Sequence, residues 1–289
     1  MRPTSTQRIL RHRADRRTLA LVGLACAALI LPYAYANAYA PGAIPAGPWI
    51  AVSAMLCFIA NIANHNHMHH ATFQRRFLNQ TFNLVLTLCR GHTASGIIVP
   101  HNLNHHVESC GARDWIRPQL AGRGIGWVRL VRFIVAASSN MLIQRRLPDA
   151  PRLGARAELS RRREQRVLAA FILLGLLADW QVFLLFNVLP WMLGLAMLVG
   201  VNLLQHDACA PGQVVGGSRD FVGRIGNWLC LNNGYHTAHH QSPATHWSHL
   251  PDLHATLADQ IRAQRLEYPS VLGFLWRFGW SRTPSARSI

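Results

Sequence analysis

The residues in this chain whose types and spacing could do chemistry are its histidines. There are sixteen, and fifteen of them fall between His65 and His254. His65-Asn66-His67-Met68-His69-His70 contains an i, i+4 pair. His101-x-x-x-His105-His106 and His236-x-x-His239-His240 each combine a distant and an adjacent partner, and His206 stands alone thirty residues before the last cluster. Residues four apart on a helix project from one face, so two imidazoles at that spacing can share a metal ion. Neutral imidazole suits iron, copper, nickel or zinc. The candidate ligands are His65, His69, His101, His105, His106, His206, His236, His239 and His240. That is too many for one zinc ion, which takes four ligands or three plus water, and about right for two ions with open positions. No H-E-x-x-H is present, so a zinc protease is unsupported. No E-x-x-H pair is present either, which excludes the soluble carboxylate-bridged di-iron bundle. A histidine-rich dimetal site remains.

The elements that must position these side chains are apolar. Of 289 residues, 50% are hydrophobic and only 14% charged, against about 25% charged in an average soluble domain. Leu19–Ala36 is an uncharged run of eighteen residues, which as a helix spans roughly 27 Å, close to a bilayer core. Trp49–Ala63 is a second uncharged run, which Ile44 to Gly47 can extend, and Asn37–Gly47 between them reads as a short turn. Val167–Gln205 is interrupted only by Asp179 and by Asn187-Val188-Leu189-Pro190, which divides it into Val167–Phe186 and Trp191–Gln205. The expected fold is therefore an all-α integral membrane protein. It has four transmembrane helices in two hairpins and a cytoplasmic helical cap carrying the dimetal site. Thr81–Pro100 contains Arg90 and His92, and Trp127–Ile143 contains Arg129 and Arg132. Charge at mid-bilayer costs several kcal/mol, so both are expected to lie along the cytoplasmic face.

Orientation follows from the arginines, which supply all 29 basic residues against 12 acids. Arg2, Arg8, Arg11, Arg13, Arg16 and Arg17 precede the first span, Arg161, Arg162, Arg163 and Arg166 precede the third, and the two connecting turns have none. The positive-inside bias puts both termini and every histidine cluster in the cytoplasm, most simply at a bacterial inner membrane. Arg16-Arg17 ahead of an apolar stretch, with Ala36-Asn37-Ala38 after it, has the form of a twin-arginine export signal. The apolar run is longer than a usual signal core and further runs follow, which favours a retained span. The domain reading is a basic N-terminus over 1–18, a membrane domain over 19–255 and a cytoplasmic tail over 256–289.

Three boxes of the form H-x(3)-H, H-x(3)-HH and H-x(2)-HH on such a chassis resemble the membrane fatty acid desaturase and hydroxylase superfamily. Gly234-Tyr235-His236-Thr237-Ala238-His239-His240 is very close to that family's third box, while His65-Asn66-His67-Met68-His69-His70-Ala71-Thr72-Phe73 matches its first box less closely. Asn202-x-x-x-His206 is similar to the Asn and extra His that acyl desaturases place about thirty residues before the third box. The resemblance covers residues 45–255. It implies two iron ions, O2 as cosubstrate and a lipid or amphiphilic acyl substrate. The implied reaction removes hydrogen from an unactivated C–H, giving a double bond or, by the alternative outcome, an alcohol. No fused cytochrome b5 or ferredoxin sequence is visible, so electrons must come from a separate ferredoxin- or cytochrome-type protein.

The first box holds four histidines, so His67 or His70 could replace His69 as a ligand. Asn202 lies one turn before His206 and is read as holding a metal-bound water. Metal-bound imidazoles usually pass their other N–H to a carboxylate or carbonyl, and Glu108, Asp207 and Asp252 are the carboxylates closest in sequence to ligands. A basic chain invites a nucleic-acid reading, but these arginines flank apolar spans and no nucleic-acid-binding motif is present. A non-enzymatic membrane metal-binding or transport protein is the rival class. Transport calls for ionisable residues at mid-bilayer, and only Asp179 qualifies.

Overall fold

The computed structural model describes residues 9–38 and 46–282. Arg2 and Arg8 lie outside the described residues, as does most of the turn read at Asn37–Gly47. The described chain is mainly helical: α1 (Asp15–Ala38), α2 (Ala46–His69), α3 (Arg76–Arg90), α4 (His106–Glu108), α5 (Gly126–Gln144), α6 (Ala155–Phe183), α7 (Leu189–His206), α8 (Arg224–Leu229), α9 (His236–Gln241), α10 (Leu250–Ala263) and α11 (Val271–Trp280). Two π-helical stretches, Ile98–His105 and Leu184–Val188, lead into α4 and α7. Two short strands, β1 (Asp220–Phe221) and β2 (Glu267–Tyr268), pair in parallel with Asp220 opposite Glu267.

Four segments are long and apolar enough to cross a membrane: Asp15–Tyr35, Ala46–His69, Gly126–Gln144 and Ala155–His206. Three of these segments carry the four expected spans, because the last holds two of them, and Gly126–Gln144 is a further candidate. Gly126–Gln144 qualifies by length and composition, where an interfacial helix was expected. The charges that argued against it are met by protein groups. Arg129 is buried and its guanidinium reaches Asp207, and Arg132 donates to the carbonyls of Ala121 and Arg123 at 3.2 and 3.0 Å. Ala155–His206 is 52 residues long and contains both of the later spans.

By contacts, the chain forms two compact units: Met1–Ile98 with Leu153–Met197, and Val99–Arg152 with Leu198–Ile289. In the first unit the long helical segment reverses. Phe171 and Trp191 would be about 30 Å apart on a straight helix, yet their ring centroids are 6.1 Å apart. The break lies at Asp179, whose backbone is extended (φ −164°), rather than at Asn187–Pro190 as the sequence suggested. Asp179 Oδ1 accepts from the amides of Gln181 and Val182, both at 3.0 Å, and so caps the returning helix. The chain passes Pro190 without a break because the π turn widens the helix immediately before it, where a regular α-helix would clash with the ring.

Leu29, Cys57, Phe183 and Trp191 form the buried core of this unit. Gly194 lets α7 approach α2: a Cβ there would sit 2.9 Å from the Phe58 amide nitrogen, the close contact by which small residues join helices in lipid. The single interfacial helix expected over Thr81–Pro100 is not formed. The segment bends by 82° after Arg90, at Gly91 in the left-handed region (φ 70°). Arg90 is buried rather than facing headgroups, and its Nε donates to Asn61 Oδ1 at 2.8 Å.

In the second unit, residues 256–282 include the end of α10, β2 and α11. The helix α11 packs on the start of α5, where Gly126 N donates to Ser281 O at 2.9 Å.

Candidate metal centre

The first box sits on the last turns of α2. His65 and His69 project from one face with ring centroids 4.9 Å apart, as their spacing requires. His67 faces the other way, because two residues along a helix are about 200° around it. Its ring packs against Phe82, and its Nδ1 accepts from the Thr72 amide at 3.2 Å. His70 Nε2 lies 3.2 Å from His12 Nε2. Neither His67 nor His70 joins a group of three or more close ligand atoms among the described residues.

The second box is built by a π-helix. His101 and His106 are five residues apart, which on an α-helix turns their side chains about 140° from each other. The i→i+5 pattern of Ile98–His105 brings them back together, and their Nε2 atoms are 3.0 Å apart. The third box occupies α9, with His236 and His240 one turn apart and His239 on the adjoining face. Gly234 just before it must be glycine, since a Cβ would lie 2.1 Å from the Phe221 carbonyl oxygen.

Within the second unit these histidines sort into two sets. His105, His206, His236 and His240 bring four ring nitrogens within 4.8 Å of one another, and His101, His106 and His239 lie within the same limit of each other. Each adjacent doublet is therefore divided: His105 and His106 serve different sets, as do His239 and His240. The closest ring nitrogens are 2.9 Å apart (His206 and His236) and 3.0 Å apart (His106 and His239), the spacing of neighbouring ligands on an ion with bonds of about 2.1 Å.

The hydrogen bonds leave the inner ring nitrogens available. His105 Nδ1 donates to Asp114 Oδ2 at 2.7 Å, and His206 Nδ1 donates to the Gly217 carbonyl at 2.9 Å. These are the outer contacts that fix the tautomer and ring orientation of metal-bound histidine. His105 Nε2 and His240 Nε2 are buried without a hydrogen-bond partner, and so is Asn202 Oδ1, one turn before His206. Burial, followed by the surrounding imidazoles His236, His206, His105 and His106, holds His240 well below the ordinary histidine range. It is neutral, as a ligand must be. His105 Nε2 and His240 Nε2, buried, unpartnered and gathered with His206 and His236 into one set, fit a metal ion.

Of the carboxylates proposed from sequence proximity, none binds a ring of either set. Asp207 pairs with Arg129, Glu108 with Arg113 at 3.3 Å, and Asp252 is exposed with His249 4.0 Å away. The carboxylate that matters here is Asp114, wholly buried. Burial works against its charge, but the hydrogen bonds from His105 and from the amides of Ile116 and Cys110 hold it below the usual carboxylate range. Nothing in local spacing announces it. The chain returns Asp114 to His105 by turning through Ser109 and Cys110 in the left-handed region (φ 42° and 64°).

Residues 40–271 match the family model for fatty acid desaturase. The chain belongs to the fatty acid desaturase family. Its histidine sets, its apolar helices and that match together describe a membrane oxidoreductase of the desaturase and hydroxylase type. Among curated proteins, none matches this chain.

Proposed function

We propose that this desaturase-family protein is an O2-dependent di-iron desaturase that introduces a double bond into the acyl-type chain of a lipid or other amphiphile. Electrons come from a separate ferredoxin- or cytochrome-type protein. The site faces the cytoplasm from a bacterial inner membrane, the side to which the arginines assign it. The observation that carries the reading is the division of each histidine doublet between two converging sets of ring nitrogens. One set suits one ion, and two sets suit the paired ions that C–H oxidation by this family employs.

His105, His206, His236 and His240 would hold one iron. His101, His106 and His239 would hold the other, with His65 and His69 as further ligands. Bound iron would supply the power to activate oxygen and take hydrogen from an unactivated C–H bond. The protein's part is placement. Asp114 and the Gly217 carbonyl fix two rings so that Nε2 points inward, burial keeps His240 unprotonated, and Asn202 Oδ1 presents an acceptor beside His206. Whether the second step removes another hydrogen or returns oxygen depends on where the chain lies, and desaturation is the outcome we assign.

Iron content of detergent-purified protein tests the reading directly. About two irons per chain, reduced in His105→Ala and in His240→Ala, is the expected result. New alkenes in the lipids of expressing cells, lost in the same variants, would establish desaturation, and new alcohols would establish hydroxylation instead. Zinc in place of iron, or metal content indifferent to both substitutions, would overturn the assignment.

A further inference from the structure

The segment Gly217–Val222 contacts both His206 and the first turn of the helix that carries the third box. Besides the bond from His206 to Gly217, Ser218 Oγ lies 2.9 Å from Thr237 Oγ1. Arg219 Nη2 donates to the Asp207 carbonyl at 2.9 Å, closing the end of α7, and its guanidinium stacks 4.3 Å from the Phe274 ring. Asp220 Oδ1 accepts from the Thr237 amide at 2.7 Å, and its Oδ2 faces His254 Nδ1 at 2.8 Å. The other ring nitrogen of His254 faces Glu267 Oε2 at 2.9 Å. The chain thus runs from the third box through one buried carboxylate to a histidine and a second carboxylate, none of which belongs to a histidine box.

The helix α9 has six residues, far short of what holds a helix together unaided. The residue before it, Tyr235, offers no capping side chain. Asp220 takes that place from outside, satisfying a first-turn amide that would otherwise be orphaned. A wholly buried carboxylate needs a partner, and His254 provides it. We propose that Asp220 and His254 are positioning residues for the metal centre: Asp220 sets the first turn of α9, which carries His236, His239 and His240, and His254 locks Asp220 to Glu267 on β2. This inference rests on the reading of the histidine sets as metal-binding.

The groups facing His254 are Asp220 from β1, Glu267 from β2 and the Tyr235 ring at 5.0 Å, with Arg262 of α10 reaching Glu267 at 3.5 Å. Only an imidazolium can donate to both carboxylates. Burial opposes that charge, but the hydrogen bonds and charges of Asp220 and Glu267 outweigh it and raise the pKa of His254. With the folded pKa above the ordinary value of about 6.5, the lock is complete below that value and is lost as pH rises through the raised pKa. Metal ligands behave in the opposite sense, losing metal as pH falls because protons compete for the ring nitrogens. An alkaline limb in metal release is therefore the signature of His254.

The test is a chelator challenge on the purified full-length protein, following iron release across neutral and alkaline pH. Wild-type release should accelerate on the alkaline side. His254→Gln should release iron about tenfold faster at neutral pH, in line with other outer contacts of metal ligands, and should lose the alkaline limb. Asp220→Asn should do the same, and the double variant should add nothing further, since the two act through one contact. Release and pH dependence unchanged in His254→Gln, or effects that simply multiply, would overturn the proposal. If those variants fail to fold, Glu267→Gln retains the Asp220–His254 bond and should move the limb to lower pH, and an unmoved limb overturns it equally. Amide exchange of the 232–241 peptide separates this inference from the metal reading. Protein that carries no iron sinks the metal reading, yet faster exchange in His254→Gln would still support the lock and unchanged exchange would refute it.

Discussion

Asp114→Asn isolates one side of the centre. The carboxylate accepts three hydrogen bonds: Oδ2 takes His105 Nδ1 at 2.7 Å and the Cys110 amide at 2.9 Å, and Oδ1 takes the Ile116 amide at 2.9 Å. An asparagine of the same shape can keep its oxygen toward His105 and Cys110, but its NH2 then faces the Ile116 N–H. The bond to His105 falls from charge-assisted to neutral, a loss of about 1–1.5 kcal/mol, and the Ile116 bond, about 1 kcal/mol, goes altogether. Of that total, the part felt by the metal should be about 1.4–2 kcal/mol, or about a 10–30-fold loss of affinity, within the range for outer contacts of metal ligands.

The loss should be lopsided. His105 belongs to the set of His206, His236 and His240, whereas Asp114 makes no bond to His101, His106 or His239. After a chelator wash, Asp114→Asn should retain about one iron per chain where the wild type retains two, as counted by elemental analysis. Glu108→Gln and Asp252→Asn should retain both, because their partners Arg113 and His249 are 86% and 57% exposed and such surface pairs are worth about 0–1 kcal/mol. Retention of both irons in Asp114→Asn, or loss equal to it in Asp252→Asn, would refute the assignment of Asp114 as the partner of His105.

Three further outcomes follow from the packing. Gly234→Ala forces a Cβ against the Phe221 carbonyl, so it should lower thermal stability by on the order of 1–3 kcal/mol and reduce iron content; an unchanged unfolding transition would contradict the close approach. Asp179→Ala removes the cap of the returning helix and should cost about 1 kcal/mol in denaturant unfolding, while Asp179→Asn should cost far less; equal costs would show that the cap is not what stabilises the turn. On α11, Leu272, Trp276 and Trp280 form an i, i+4, i+8 stripe 64–72% exposed, so brominated lipids in proteoliposomes should quench fluorescence that the Trp276→Phe, Trp280→Phe double variant lacks. Quenching that is the same in both proteins would place α11 away from lipid.

The histidines were legible because ligand chemistry is written in local spacing: two imidazoles four apart on a helix share a face whatever surrounds them, and the third box needed only a short helix. The apolar runs were legible for a similar reason, since eighteen uncharged residues have few other uses. Break points were not. Asn187-Val188-Leu189-Pro190 carries the residues that end helices, whereas Asp179 looked like an isolated charge in a span. What decides between them is that a π turn can carry the helix past Pro190 while Asp179 can cap a new one, and neither is a property of composition. Arg129 shows the same limit, because a charge counts against burial only until a partner such as Asp207 is known.

The adjacent doublets show where local spacing stops being sufficient. His105-His106 and His239-His240 read as pairs, and a pair invites the assumption of a common ion. Adjacent side chains on a helix point about 100° apart, so a doublet cannot crowd one ion as easily as it can address two. In the structure each doublet is divided between two sets of converging ring nitrogens. That division demands that each helix be held at a fixed rotation, since a turn of the helix would move both ligands at once and in the same sense. Rotation is held by atoms that the boxes do not contain: Asp114 on one ring of the second box, and Asp220 on the first turn of the third. Both carboxylates are wholly buried, nine and seventeen residues from the groups they hold. A search by ligand spacing therefore finds the converging ring nitrogens and passes over the groups that hold their helices in place.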